Sequence, residues 1–195
     1  MQATIALVGL PGSGKSTVGR NLARRLLGRF VDTDTLIERR LQCTIRAYFE
    51  REGEDAFRDV EESVLAETVL ERGAVIATGG GIVLRAPNRR ALHDATTVVY
   101  LRANPDELYR RLRFDTQRPL LQVKDPQARF RELYSQRDPL YRETAHFVIE
   151  TGRPSVSTLV NMVLMQLELA GVLASDAAPA SVGAMPPEPP EPPTR

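Results

Sequence analysis

One stretch restricts this chain more than any other: Gly9-Leu10-Pro11-Gly12-Ser13-Gly14-Lys15-Ser16-Thr17, between the apolar run Ile5-Ala6-Leu7-Val8 and the helix-like Val18 to Leu26. Strand, glycine-rich loop and helix in that order make a phosphate-binding loop. Glycines let the backbone turn tightly, so that N–H groups from Gly12 to Thr17 can point into a concavity the size of a phosphate, which a side chain would fill. Lys15 brings positive charge to the β- and γ-phosphates of a nucleotide. Ser16 offers a hydroxyl to Mg²⁺, and the helix aims the positive end of its dipole at the same anion. The strand before and the amphipathic helix after favour this reading over a glycine-rich turn capped by a serine.

The 195 residues are most simply one folded domain, since 42 % hydrophobic residues suffice for a core. The 26 basic and 25 acidic side chains nearly cancel, so nothing in the overall charge attracts nucleic acid or an anionic membrane. A lone cysteine, Cys43, forms no internal disulfide, and the N-terminus runs straight into a strand. No apolar stretch approaches the roughly 18 residues of a membrane span. These features lead to the expectation of a cytoplasmic protein acting on a small molecule.

Further along, Arg29-Phe30-Val31 reads as a second strand that carries Asp32-Thr33-Asp34 to the ligand-binding edge of an α/β sheet. Beside a phosphate loop, Asp32 is the nearest carboxylate to join Ser16 at a metal, and Asp34 is left for substrate. The bland alternative is that Asp34 or Thr33 merely caps a helix over Leu36 to Leu41. A short helix from Ile45 to Glu52 carries Tyr48 and Phe49 and stops at Gly53. In the longer helix that follows, Phe57, Val60, Val64, Leu65 and Val69 recur at helical spacing. Arg58 stands three residues from Glu61 and four from Glu62, which suits a solvated ion pair or an anion site.

Ala74 to Ala77 is a third strand, running into Thr78-Gly79-Gly80-Gly81. Successive glycines cost backbone entropy and make sense where a ligand approaches the main chain, or where a sharp turn is needed. Thr96 to Leu101 is the next strand, and Pro105 opens a helix with Arg110 and Arg111. Arg113 to Asp125 shows little apolar periodicity and contains Arg118, an arginine placed as on a mobile lid or on an ordinary surface loop. Pro126 to Glu143 is helical and basic, with Arg129, Arg131, Arg137 and Arg142 mostly at the surface and Pro139 expected to bend or end it. Phe147 to Ile149 forms the last strand, and Ser155 opens a helix through Leu169. The Pro- and Ala-rich residues 173–195 are expected to be a disordered tail.

Taken together and in order, the phosphate loop, Asp32-Thr33-Asp34, Phe57-Arg58 with Glu61, Gly79-Gly80-Gly81, Arg118-Pro119-Leu120-Leu121 and Arg137 ahead of Pro139-Leu140-Tyr141 resemble shikimate kinases. The resemblance covers about residues 3 to 170. It implies an α/β fold of the P-loop nucleoside-monophosphate-kinase type: a three-layer sandwich around a five-stranded parallel sheet of order 2-3-1-4-5, with a lid at about 113–125. It also implies transfer of the ATP γ-phosphate to the 3-hydroxyl of shikimate, a step toward chorismate and the aromatic amino acids.

By that resemblance Lys15, Asp34 and Arg118 are catalytic. Arg58, Arg137, Asp34, Gly80 and Gly81 hold shikimate, with Glu61 fixing Arg58 and with Phe49 and Phe57 as apolar walls. ATP lies on Gly12 to Thr17, Arg118, Arg111 and Arg153, with Arg110 open as a substitute for Arg111. Mg²⁺ lies on Ser16 and Asp32, and a monomer is the simplest state. The chemistry agrees, because a carboxylated polyol needs cationic forks at one end and a hydroxyl acceptor at the other. A gluconate kinase of the same fold, a nucleotide-binding regulatory module and a nucleic-acid binder are the rivals. Paired arginines speak against the first, Asp34 and Arg118 against the second, and near-neutral charge without an aromatic platform against the third.

Overall fold

Strand β1 (Ile5–Val8) is buried at every residue because helices cover the sheet on both sides. Its alternation sends Ile5 and Leu7 to one layer and Ala6 and Val8 to the other. The computed structural model describes residues 3–112, 125–152 and 154–173. The expected lid apart from Asp125, together with Arg118, Arg153 and the chain from residue 174, lies outside the described residues.

Strands β2 (Arg29–Asp32), β3 (Ala74–Ala77), β4 (Thr97–Arg102) and β5 (Phe147–Glu150) join β1 in a parallel sheet of order β2-β3-β1-β4-β5. Ile5 registers with Val75 on one side and Thr97 on the other. Helices α1 (Lys15–Arg25) and α7 (Val156–Leu169) pack Leu22, Val163 and Leu167 against Leu7, Val99 and Leu101. The opposite layer holds α3 (Ile45–Thr68), α4 (Ala86–Ala95), α5 (Pro105–Leu112) and α6 (Pro126–Thr144). There Leu65, Leu92, Leu108, Phe130 and Tyr141 meet Val8, Ile76 and Tyr100. Helix α2 (Thr33–Leu41) adds a satellite cluster of Ile37, Phe57 and Val64. The order of strands changes direction at β1, so the loop that leaves β1 opens at the crevice where such sheets bind ligands.

Four local expectations need correction. Helix α2 begins at Thr33, three residues earlier than Leu36, and neither Thr33 nor Asp34 caps it. Asp32 does, accepting from the amides of Asp34 and Thr35. Pro139 does not end α6, which continues to Thr144 because Tyr141 and Thr144 are drawn into the core. Arg58 forms no solvated pair with Glu62; it is buried, and Glu62 pairs with Arg85. Helix α4 and the 3-10 turn Ile82–Leu84 were not anticipated, since Leu92 is the one fully buried apolar side chain of α4 and leaves no periodic stripe to read. Gly53 interrupts α3 with φ 84° and ψ 179°, so the two helices expected on either side of it abut at a kink.

Candidate active site

No side chain caps α1 among the described residues. Its N-cap is Gly14 in the left-handed region, φ 95°. The first amides of the helix therefore remain available to an anion, which the capped alternative would have occupied. They open on a cavity of about 380 Å³ lined by Pro11, Gly12, Gly14, Lys15, Ser16, Thr17, Asp32, Asp34, Thr78 and Gly80. Lys15 is 8 % exposed and donates through Nζ to the carbonyls of Gly9 at 2.8 Å and Leu10 at 2.9 Å, so its charge is held inside the loop. Ser13 does not line the cavity. Its amide closes a turn onto Leu10, and its buried hydroxyl has no hydrogen-bond partner.

Across the cavity, Asp32 leaves the end of β2 with both oxygens engaged, Oδ2 accepting from Ser16 Oγ at 2.8 Å and Oδ1 capping α2. Asp34 stands in the first turn of α2. It opens onto the cavity on one side, and on the other its Oδ1 lies 2.7 Å from where a Cβ at Gly79 would sit. Surrounding protein desolvates the Asp34 carboxyl and raises its pKa. The nearby Asp32 charge adds to that rise, and Lys15 and Arg58 oppose it. Thr33, which the sequence offered only as a cap, accepts from the Gly79 amide at 3.1 Å and ties α2 to the glycine turn.

Both candidate arginines converge on that turn. The Arg58 guanidinium packs where a Cβ on Gly81 would be, and donates to Glu61 at 2.6 Å and Glu54 at 3.0 Å. Glu61 is 1 % exposed. Desolvation raises its carboxyl pKa, against the pull of Arg58. The Phe57 and Phe49 rings flank the Arg58 guanidinium, with their centroids 5.2 and 5.9 Å from it. Arg137 donates to the Gly80 carbonyl at 2.9 Å, while its buried Nε has no partner. Tyr141 donates to the same carbonyl at 2.5 Å, a contact that residue type and spacing alone could not announce. At the far end, Arg111 donates to the carbonyls of Thr151 and Gly152, whereas Arg110 donates to the Asp106 carbonyl of its own helix. Arg111 is thus the arginine joined to the loop after β5.

The donor set suits Mg²⁺. A hydroxyl and a carboxylate face one cavity beside a phosphate loop, and Mg²⁺ takes few protein ligands, completing its shell with water and phosphate oxygens. Pro11 and Thr78 also line this cavity and were not singled out from the sequence, since each is unremarkable until the turn brings it there.

Comparison with known proteins gives a consistent result. A family model described as shikimate kinase matches residues 11–168. The shikimate kinase of Burkholderia thailandensis is 58 % identical over 170 residues, 87 % of this chain and 92 % of that protein. That of Ralstonia nicotianae is 55 % identical over 176 residues, 90 % of this chain and 93 % of that protein. Among solved structures, shikimate kinase from Acinetobacter baumannii in complex with shikimate has a TM-score of 0.83 at 44 % identity, covering 88 % of this chain and 95 % of that one. A gluconokinase from Sinorhizobium meliloti, at 17 % identity and a TM-score of 0.55, shares the fold alone.

Proposed function

The chain belongs to the shikimate kinase family, and from that premise we propose how its own residues carry the family's reaction, transfer of the γ-phosphoryl group of ATP to the 3-hydroxyl of shikimate. The observation that carries the reading is the position of Gly80. It borders the phosphate cavity beside Pro11, and its carbonyl receives Arg137 while Arg58 packs against its neighbour Gly81. A single turn joins a nucleotide site to two guanidinium forks.

In this reading the carboxylate of shikimate lies on Arg58 and Arg137, and its ring sits against Phe49 and Phe57, with Gly80 and Gly81 offering backbone contacts. The 3-hydroxyl hydrogen-bonds Asp34, which aims its oxygen at the γ-phosphorus and accepts its proton as the bond to the β–γ bridging oxygen breaks. The amides from Gly12 to Thr17 hold the phosphates in line, and Lys15 leaves the loop carbonyls to share the charge that develops on them. Ser16 and Asp32 would hold Mg²⁺, which when bound neutralises the β- and γ-phosphate oxygens. Arg118, in the lid at 113–125, adds a further cation and helps to exclude water, while Arg111 and Arg153 flank the adenine.

Residues 1–172 form the catalytic unit in this reading, acting as a monomer in the cytoplasm without nucleic acid or membrane. The tail 173–195 has no part in turnover, so a chain ended at Leu173 keeps its activity. Among the described residues no helix is long and apolar enough to cross a membrane. ADP release from Mg-ATP, measured with shikimate, gluconate or quinate, tests the assignment. Stimulation by shikimate alone is the expected outcome, and turnover indifferent to shikimate overturns it.

A further inference from the structure

The turn of α6 that reaches Gly80 is held in an uncommon way. Arg137 and Tyr141 stand one turn apart and both donate to the Gly80 carbonyl, with Pro139 between them inside the helix. Proline has no N–H, so the Ser135 carbonyl loses its usual helical donor and the backbone ladder is weakest here. Side chains supply the missing restraint. Asp138 accepts from Tyr100 Oη at 2.9 Å, Arg102 Nε at 3.2 Å and Arg142 Nε at 2.8 Å, and its side chain is only 15 % exposed. Tyr100 and Arg102 belong to β4, and the fully buried Tyr100 ring stacks on Tyr141 with centroids 4.9 Å apart. Arg102 is itself fastened to Glu150 at 2.6 Å and to the Tyr134 hydroxyl. Burial alone would raise the Asp138 carboxyl, but the bonds from Arg142, Tyr100 and Arg102 outweigh it and hold the group below its ordinary range.

We propose that Asp138 is a positioning residue for the acceptor pocket: by clamping the proline-interrupted turn of α6 to β4, it sets where the Arg137 guanidinium stands against Gly80. The inference rests on the reading of Arg137 as a shikimate ligand. Asp138 acts through Arg137 and belongs to no part of the nucleotide cavity, so its loss falls on one substrate and spares the other.

The test compares Asp138→Asn, Asp138→Glu, Tyr100→Phe and Arg137→Ala with the unaltered enzyme, reading kcat, both KM values and Tm. Asp138→Asn keeps the shape but loses the charge. It raises the KM for shikimate about tenfold, as expected for lost charge-assisted bonds, and leaves the KM for ATP within about twofold. Asp138→Glu recovers part of that loss. Tyr100→Phe, which removes one donor, gives the same split at smaller size. An unchanged shikimate KM in Asp138→Asn, or a rise in both KM values together, overturns the clamp. If Arg137→Ala leaves the shikimate KM unchanged, the pocket reading fails and the clamp with it; a large Arg137→Ala effect beside a silent Asp138→Asn removes the clamp alone.

Discussion

Ser16 and Asp32 meet at 2.8 Å, the hydroxyl donating to Oδ2 while Oδ1 of the same carboxylate caps α2. One side chain therefore joins the phosphate loop to the helix that carries Asp34. Its two duties are separable, because asparagine caps helices as well as aspartate but brings no negative charge. Asp32→Asn is expected to raise the Mg²⁺ concentration for half-maximal velocity about tenfold with little change in Tm. Asp32→Ala adds a stability loss of about 1 kcal/mol from the missing cap. Activity titrated with MgCl₂, read beside thermal melts, separates the two duties.

The Arg58–Glu61 pair is nearly closed to solvent, with side chains 11 % and 2 % exposed. Removing one member strands the other, at a cost of about 3–5 kcal/mol. Arg58→Ala should therefore lower Tm and raise the shikimate KM together. Adding Glu61→Gln to it is expected to recover much of the Tm without restoring shikimate affinity. Melts and acceptor kinetics on the single and double variants check this.

The pH dependence follows from Asp34. Its pKa in the folded chain is raised above the ordinary value of 3.8, chiefly by desolvation, so the folded state binds this proton more tightly than the unfolded state does. Stability is then highest below the unfolded pKa and falls as pH rises toward the folded one, after which the loss is constant. The ionised form is the one that accepts a proton from the 3-hydroxyl. The acid limb of kcat/KM should therefore lie above pH 3.8, and Asp34→Asn should abolish turnover while raising Tm at neutral pH. A variant no more stable than the parent at pH 7 would contradict the sign of the shift.

Alanine in the glycine turn should act differently at adjacent positions. A Cβ at Gly80 would fall 2.7 Å from Pro11 Cδ and push on the phosphate loop, so Gly80→Ala is expected to raise the KM for both ATP and shikimate. At Gly81 the atoms nearest to the same Cβ belong to the Arg58 guanidinium, so Gly81→Ala should raise the shikimate KM and leave that for ATP nearly unchanged. Steady-state kinetics with each substrate varied in turn measures the difference.

Much of this was legible in the chain. Ile5 to Thr17 announced strand, loop and helix because the phosphate site is made from consecutive backbone amides, whose geometry depends on glycine positions a few residues apart. Buried strands such as Ala74–Ala77 and amphipathic helices such as α7 follow from short-range periodicity in the same way. The resemblance named Arg58 and Arg137, and helical spacing offered the Arg58–Glu61 pair, but no local rule showed that this pair would be buried or that Arg137 would rest on the Gly80 carbonyl. The burial of that pair and the Arg137 contact depend on strand crossovers that bring distant segments to one sheet edge. The same holds for Asp32, which turned out to be cap and Ser16 partner at once, and for Pro139, tolerated inside α6 because Tyr100 of β4 holds that turn from outside the helix through Asp138 and Tyr141. What the sequence by itself determined was whatever neighbouring residues settle among themselves: the strand-loop-helix, the buried strands, the glycine turn. Which charge was buried and which carbonyl it met were decided only by tertiary packing, because a side chain's desolvation and partners come from parts of the chain that periodicity does not reach.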